Sequence, residues 1–242
     1  MAGHSKFANI KHKKERADLK RAKIFTRLGK EIMISVQLGG SEPQFNPRLR
    51  DVLTKARASN MPKDNIERLI KKASGGTDMT AYEEVTYEGY GPNGMAVIVK
   101  ALTDNRNRTA ANVRSAFTKG TGNMGQTGSV DFLFQHMGYI AIEKSGHIDE
   151  DALMELVLEA GASDFVVQTE GYEILTEPHD FSAVMEALGD TYTVLSAEVT
   201  YQPLTTVEIS TPEHLKFFHK MMDLLDDDED VQDVFHNAVG DI

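Results

Sequence analysis

The chemistry most visible in this 242-residue sequence is cationic. Taken as one helix at about 100° per residue, residues 11–36 bring Lys13, Arg16, Lys20, Lys23, Arg27 and Lys30 within roughly 100° of arc. Phe25, Leu28, Ile32 and Val36 fall on the opposite side. A row of cations about 5 Å apart can follow a phosphate backbone, and each neutralised phosphate releases counterions, giving salt-dependent affinity. Lys6, Lys11 and Lys14 carry the basic run into a small polar arm with Gly3, His4, Ser5 and Asn9. Within that arm Phe7 could stack on a base or anchor the segment to the core. The alternative is a solvated lysine-rich face, but such a face usually carries acids pairing at i+4. Here only Glu15, Asp18 and Glu31 intervene. A break near Asp18-Leu19 would divide the stripe into an arm and a helix face.

Other segments have weaker chemical claims. Thr103 to Thr109 is polar for a strand-to-helix junction, and Arg106 and Arg108 beside free helix-start amides could form a second anion site. The competing reading is a capped helix with Asp104 or Asn105 as the cap. Helices 49–58 and 63–73 around Asn60-Met61-Pro62 have the outline of a helix-turn-helix, which would turn Lys63, Asn65, Arg68, Lys71 and Lys72 toward a groove. Two helices with a short turn are common, and a plain three-helix bundle is the better reading. Gly120 to Gly125 has the letters of a dinucleotide fingerprint in the wrong context, after a helix and before a strand, and reads as a flexible connection. No phosphate loop or His-Glu-x-x-His motif occurs, and His214 and His219 lie off one another's helix face, so no metal ligands, catalytic residues or cofactor are expected. The run Asp226 to Asp230 lacks calcium-loop spacing. Placed at a helix C-terminus it opposes the macrodipole. It is read as keeping the body from phosphate or lying against the basic helices when no nucleic acid is bound.

Periodicity supplies the scaffold. Leu49, Val52, Leu53 and Ala56, then Ile66, Leu69, Ile70 and Ala73, recur at helical spacing, with Asn46-Pro47 as a helix start. Beyond Ser74 to Thr77 the pattern changes to strands 82–90 and 94–102 around a Gly91 to Gly94 turn, a helix 107–119 and a strand 128–135. Residues 138–200 read β-α-β-β-α-β: strand 138–143, helix 150–160, strands 164–169 and 172–176, helix 179–188, strand 192–200. A helix 212–226 and a strand 231–237 follow. The fold class is therefore α+β. An all-α N-terminal three-helix domain (1–78) precedes a discontinuous α/β domain (79–136 plus 205–242), interrupted by a ferredoxin-like βαββαβ domain (137–204).

Net charge is −11, but it is segregated. Residues 1–77 hold 18 Lys and Arg against 7 Asp and Glu, and the remaining 165 hold 8 against 30. Such asymmetry points to an anionic partner, although the two parts could also neutralise each other within the fold. The absence of cysteine excludes disulfides, thiolate metal sites and a cysteine nucleophile. Met1 to Lys6 has no apolar leader core, and no apolar run of membrane-spanning length occurs. A cytoplasmic protein with no membrane partner and no small-molecule substrate is expected, and it is read as a monomer.

Several blocks carry a family resemblance. These are Gly3 to Lys11 (Gly-His-Ser-Lys-Phe-Ala-Asn-Ile-Lys), Asn60-Met61-Pro62-Lys63-Asp64, Tyr87 to Pro92, Leu102 to Thr109 and Gly128-Ser129-Val130. Together they resemble the YebC/PmpR family over essentially the whole chain. Phe7 stands where most members have Trp, and Gly122-Asn123-Met124-Gly125 replaces a usual Gly-Gly-x-Leu-Gly pattern. The resemblance implies three domains and a non-enzymatic regulator of gene expression. One family account is a DNA-binding transcriptional regulator. The other is a ribosome-associated translation factor that binds ribosomal RNA and relieves stalling at difficult peptide bonds such as proline runs. The strongly acidic body leans slightly toward RNA, because duplex DNA repels it and a basic arm suits irregular RNA.

Overall fold

The computed structural model describes residues 21–75, 82–189, 191–240 and 242. The expectations for Lys6, Phe7, Lys11, Lys13, Lys14, Arg16 and Lys20 lie outside these residues. Two compact units form: Phe132–Thr205 make one, and residues 21–131 with Thr206–Ile242 make the other.

The second unit begins with three helices, α1 (Arg21–Gly39), α2 (Pro47–Ala58) and α3 (Lys63–Ser74). Their apolar stripes meet in a core of Leu28, Ile32, Val36, Leu49, Val52, Leu53, Ala56 and Ile66, as helical spacing predicts. Asn46 is the joint between α1 and α2. Its buried side chain accepts the Leu49 amide at 3.0 Å and donates to the carbonyls of Ser35 (2.7 Å) and Gly40 (2.8 Å). Pro47 then fills the first helical position, where its missing N–H costs nothing.

An antiparallel pair follows, β1 (Glu83–Tyr90) and β2 (Ala96–Thr103), joined by the expected turn with Asn93 at φ 55° and Gly94 at φ 73°. After β2 comes α4 (Arg106–Lys119), whose Asn105 side chain accepts the Arg108 amide at 3.1 Å. The Gly120 to Gly125 segment is tightly held, contrary to the flexible connection read from sequence. Gly122 donates to the Phe117 carbonyl at 2.8 Å, and a Cβ there would collide with the Tyr90 carbonyl. Asn123–Met124 form a short strand, β3, on the edge of β1.

The strand expected over 128–135 is also corrected. Residues 128–130 form a turn, Asp131–Leu133 a single 3-10 turn, and extended pairing starts only at Phe134. The cause is Glu88 on β1, whose buried carboxylate accepts the amides of Gly128 (2.8 Å), Val130 and Asp131 (3.0 Å each). Amides gathered on one carboxylate cannot serve a β-ladder, and Gly128 takes the left-handed φ of 84° that this wrap requires.

The other unit is built from β4 (Phe134–Glu143), α5 (Glu150–Glu159), β5 (Ala162–Val167), β6 (Gly171–Thr176), α6 (Phe181–Leu188) and β7 (Val194–Pro203). Its strands run β5-β6-β4-β7, all antiparallel, which is the ferredoxin-like order. Ile140, Ile142, Tyr172 and Ile174 on the sheet meet Leu153, Val157, Val184 and Leu188 on the helices.

The chain then re-enters the first sheet's unit. A short strand β8 (Val207–Glu208) precedes α7 (Pro212–Asp227), β9 (Val231–His236) and β10 (Ala238–Val239). β8 and β10 form a small parallel pair, while β9 closes the four-stranded sheet β3-β1-β2-β9. β2 is almost wholly buried, and Val97, Val99, Phe117, Phe218, Met221 and Leu225 join strands and helices in one core. Among the described residues no helix is long and apolar enough to cross a membrane.

Candidate nucleic-acid interface

Lys23, Arg27 and Lys30 sit at i, i+4 and i+7 on α1, one above the other on a single face. This is the described part of the cationic stripe, and every member meets the acidic run. Lys23 pairs with Asp227 and lies 3.7 Å from Asp226. Arg27 Nη2 donates to the Asp226 carboxylate at 3.2 Å and to its carbonyl at 2.9 Å. Lys30 Nζ donates to Asp230 Oδ1 at 2.8 Å and to the Glu229 carbonyl at 2.7 Å.

These contacts answer a local electrostatic conflict. Acids in the last turn of a helix face the negative end of its dipole, where each costs some tenths of a kcal/mol, up to about 1. Asp226 and Asp227 occupy the last turn of α7 and Asp228 follows as its cap. The cations of α1 supply the positive charge that this helix end lacks, and Arg27 and Lys30 also satisfy backbone carbonyls at and just beyond the helix end.

Asp230 is the buried centre of the arrangement, with a side chain only 5% exposed. Besides Lys30, it takes Arg108 Nη2 at 2.6 Å and has the hydroxyls of Thr109 and Thr103 at 2.8 and 3.3 Å. Burial opposes its ionisation, but the hydrogen bonds from Arg108, Lys30 and Thr109 prevail and hold the carboxyl at about 2. Arg108 is pushed up in turn by its hydrogen bonds to Asp230 and Asp104. An open polar cavity of about 560 Å³ adjoins the cluster, lined among others by Lys30, Arg108, Asn112 and Lys119.

The two arginines expected to share an anion site are thus differently engaged. Arg108 is held by Asp104 (2.8 Å) and Asp230, while Arg106 is exposed at the start of α4, where its carbonyl accepts the Tyr87 hydroxyl at 3.3 Å. The helix-start amide that an anion could have used is taken by Asn105. On α2 and α3 every cation is exposed, Arg48, Arg50, Lys55 and Arg57 on the first and Lys63, Arg68, Lys71 and Lys72 on the second. Lys63 pairs along its helix with Glu67, and Arg68 bonds Asn65 at 3.2 Å.

Sequence reasoning identified the cations and the oddly placed acids, and of its two readings of the acids the structure shows the one in which they lie against the basic helices, without the individual pairings having been legible. The acids that intersperse the stripe are about 200 positions away, where i+4 counting cannot find them. The signal available was the unfavourable placement of three consecutive acids at a helix end.

Three N-terminal helices, a four-stranded sheet completed by β9 and a ferredoxin-like unit define an α+β protein. Two family models cover nearly the whole chain: "TACO1/YebC protein N-terminal domain" matches residues 5–76 and "TACO1/YebC second and third domain" matches residues 82–238. The chain belongs to the TACO1/YebC family. It is 53% identical over 241 residues to a "Probable transcriptional regulatory protein" of Acetivibrio thermocellus, covering 99% of this chain and all of that one. A protein of the same description from Lachnoclostridium phytofermentans is 54% identical over 239 residues, covering 98% and 99%. The crystal structure of a conserved hypothetical protein from Aquifex aeolicus is similar with a TM-score of 0.77 and 41% identity, covering 92% of each chain.

Proposed function

We propose that the protein regulates gene expression by binding nucleic acid, without chemistry of its own, and that its N-terminal helical part grips the sugar–phosphate backbone. One observation carries this reading. Residues 21–75 hold 12 Lys and Arg against 5 Asp and Glu, and eight of those cations, on α2 and α3, are exposed. Residues 1–20 carry six further cations in sequence. Phosphate contacts come from Lys6, Lys11, Lys13, Lys14, Arg16, Lys20, Lys23, Arg27 and Lys30, with Arg106 and Arg108 as a second set.

The relatives' description as probable transcriptional regulatory proteins makes duplex DNA the first partner to test. The acidic balance of residues 78–242, 8 cations against 30 acids, favours a second reading in which structured RNA such as ribosomal RNA takes its place. The test is co-sedimentation with ribosomes near physiological salt, with excess duplex DNA as competitor. Retention despite the DNA selects RNA, and loss to the DNA selects the transcriptional reading. A protein that binds neither, or whose binding is flat with salt, refutes the phosphate-gripping reading.

A further inference from the structure

The acidic run Asp226 to Asp230 places carboxylates on the α1 cations that a phosphate backbone would use. We infer that this run is an intramolecular phosphate mimic: nucleic acid must displace Asp226 and Asp227 from Lys23 and Arg27 to bind there, so the contact is autoinhibitory. The inference rests on the nucleic-acid reading above.

Three features support displacement over a permanent clamp for the outer part of the contact. The pairs are graded in burial. Side chains of Lys23 and Asp227 are 43% and 69% exposed, those of Arg27 and Asp226 are 22% and 27%, and those of Lys30 and Asp230 are 11% and 5%. The contact can therefore open from the Lys23 end, where solvent-facing pairs are weak and screened by salt. Next, carboxylates and phosphates present the same oxygen acceptors to ammonium and guanidinium groups, so one replaces the other without rearranging α1. Last, the acids sit where the α7 dipole disfavours them, so their local environment does not hold them in place without the cations.

The gradation also assigns roles. Asp230, fixed by Arg108, Thr109 and Thr103 as well as Lys30, stays with the α/β part and acts as the hinge of the contact. Asp226 and Asp227 are the part that yields.

The test compares the full-length wild type with Asp226→Asn/Asp227→Asn, using fluorescence polarisation of a labelled duplex DNA and of a single-stranded RNA of equal length. The variant should bind about tenfold tighter at low salt, the change expected when one solvent-facing and one half-buried ion pair need not be broken. Its affinity should also fall more steeply with salt, because the freed cations release more counterions on binding. Adding Lys23→Gln/Arg27→Gln to the variant should cancel the gain. Should the double variant fail to fold, Asp227→Asn alone, at an exposed position, gives the same comparison with a smaller gain. Wild-type binding with no gain in the variant overturns the mimic and leaves the nucleic-acid reading standing. A gain that survives removal of Lys23 and Arg27 is a general charge effect and also overturns the mimic. No binding by either protein overturns both readings. Tightening on only one of the two probes supports the mimic and names the partner.

Discussion

Replacing Asp230 by Asn removes the one carboxylate shared by Lys30, Arg108, Thr109 and Thr103. Holding its carboxyl at about 2 against an ordinary 3.8 corresponds to roughly 2–3 kcal/mol of folding stability. A second route gives a similar figure. Stranding a buried ion costs about 3–5 kcal/mol, but Lys30 keeps the Glu229 carbonyl and Arg108 keeps Asp104, so the cost falls at or just below that range. The sign follows from a depressed carboxyl. Its stabilisation is complete above about pH 4 and is lost as pH falls toward about 2. Urea unfolding of wild type and Asp230→Asn near pH 7 should therefore differ by about 2–3 kcal/mol. Near pH 3 the difference should shrink to about half, because Asp230 of the unfolded chain, with its ordinary value of 3.8, is then mostly protonated while the folded carboxyl is still largely ionised. A difference under about 1 kcal/mol near pH 7, or one that does not shrink in acid, would refute the claim that this carboxylate is stabilised by its cations.

Asn46→Ala should destabilise the helical part by about 1–3 kcal/mol, since it removes a cap and leaves the Ser35 and Gly40 carbonyls without this donor. Hydrogen exchange at the Leu49 amide should accelerate, and an unchanged rate would contradict the capping role. Glu88→Gln keeps the shape but loses the charge on which three amides converge, at a cost of about 1–3 kcal/mol. The amides of Gly128, Val130 and Asp131 should exchange faster while those of β2 stay protected. Uniform behaviour across both sets would mean that Glu88 does not hold this loop.

Much of the architecture was legible because it is written in local periodicity. Leu49, Val52, Leu53 and Ala56 became core for the reason their spacing suggested, and the βαββαβ order survived with ends shifted by a few residues. What was not legible depends on contacts remote in sequence. Nothing within 128–133 announces that Glu88, some 40 positions earlier, will collect its amides. The two-residue strands β3, β8 and β10 are too short to show alternation. At the candidate interface the sequence displayed the sign of every charge, but only the fold brings Lys30 against Asp230.

The pairing of β2 with β9 has a consequence for the order in which the protein assembles during synthesis. β2 emerges with one edge satisfied by β1, while the strand that must cover its other edge follows on the order of a hundred residues later. At the usual pace of translation that is an interval of several seconds to tens of seconds. Throughout it Val97, Ile98 and Val99 present an unpaired, apolar strand edge of the kind that recruits other chains. The inserted unit faces no such delay, because β4 to β7 and both its helices are contiguous in the chain. It completes first, and the sheet of its host is completed only when Val231–His236 arrive. Chains truncated before Val231 are therefore expected to retain a folded centre on an open, aggregation-prone host, a product quite unlike a uniformly unfolded fragment.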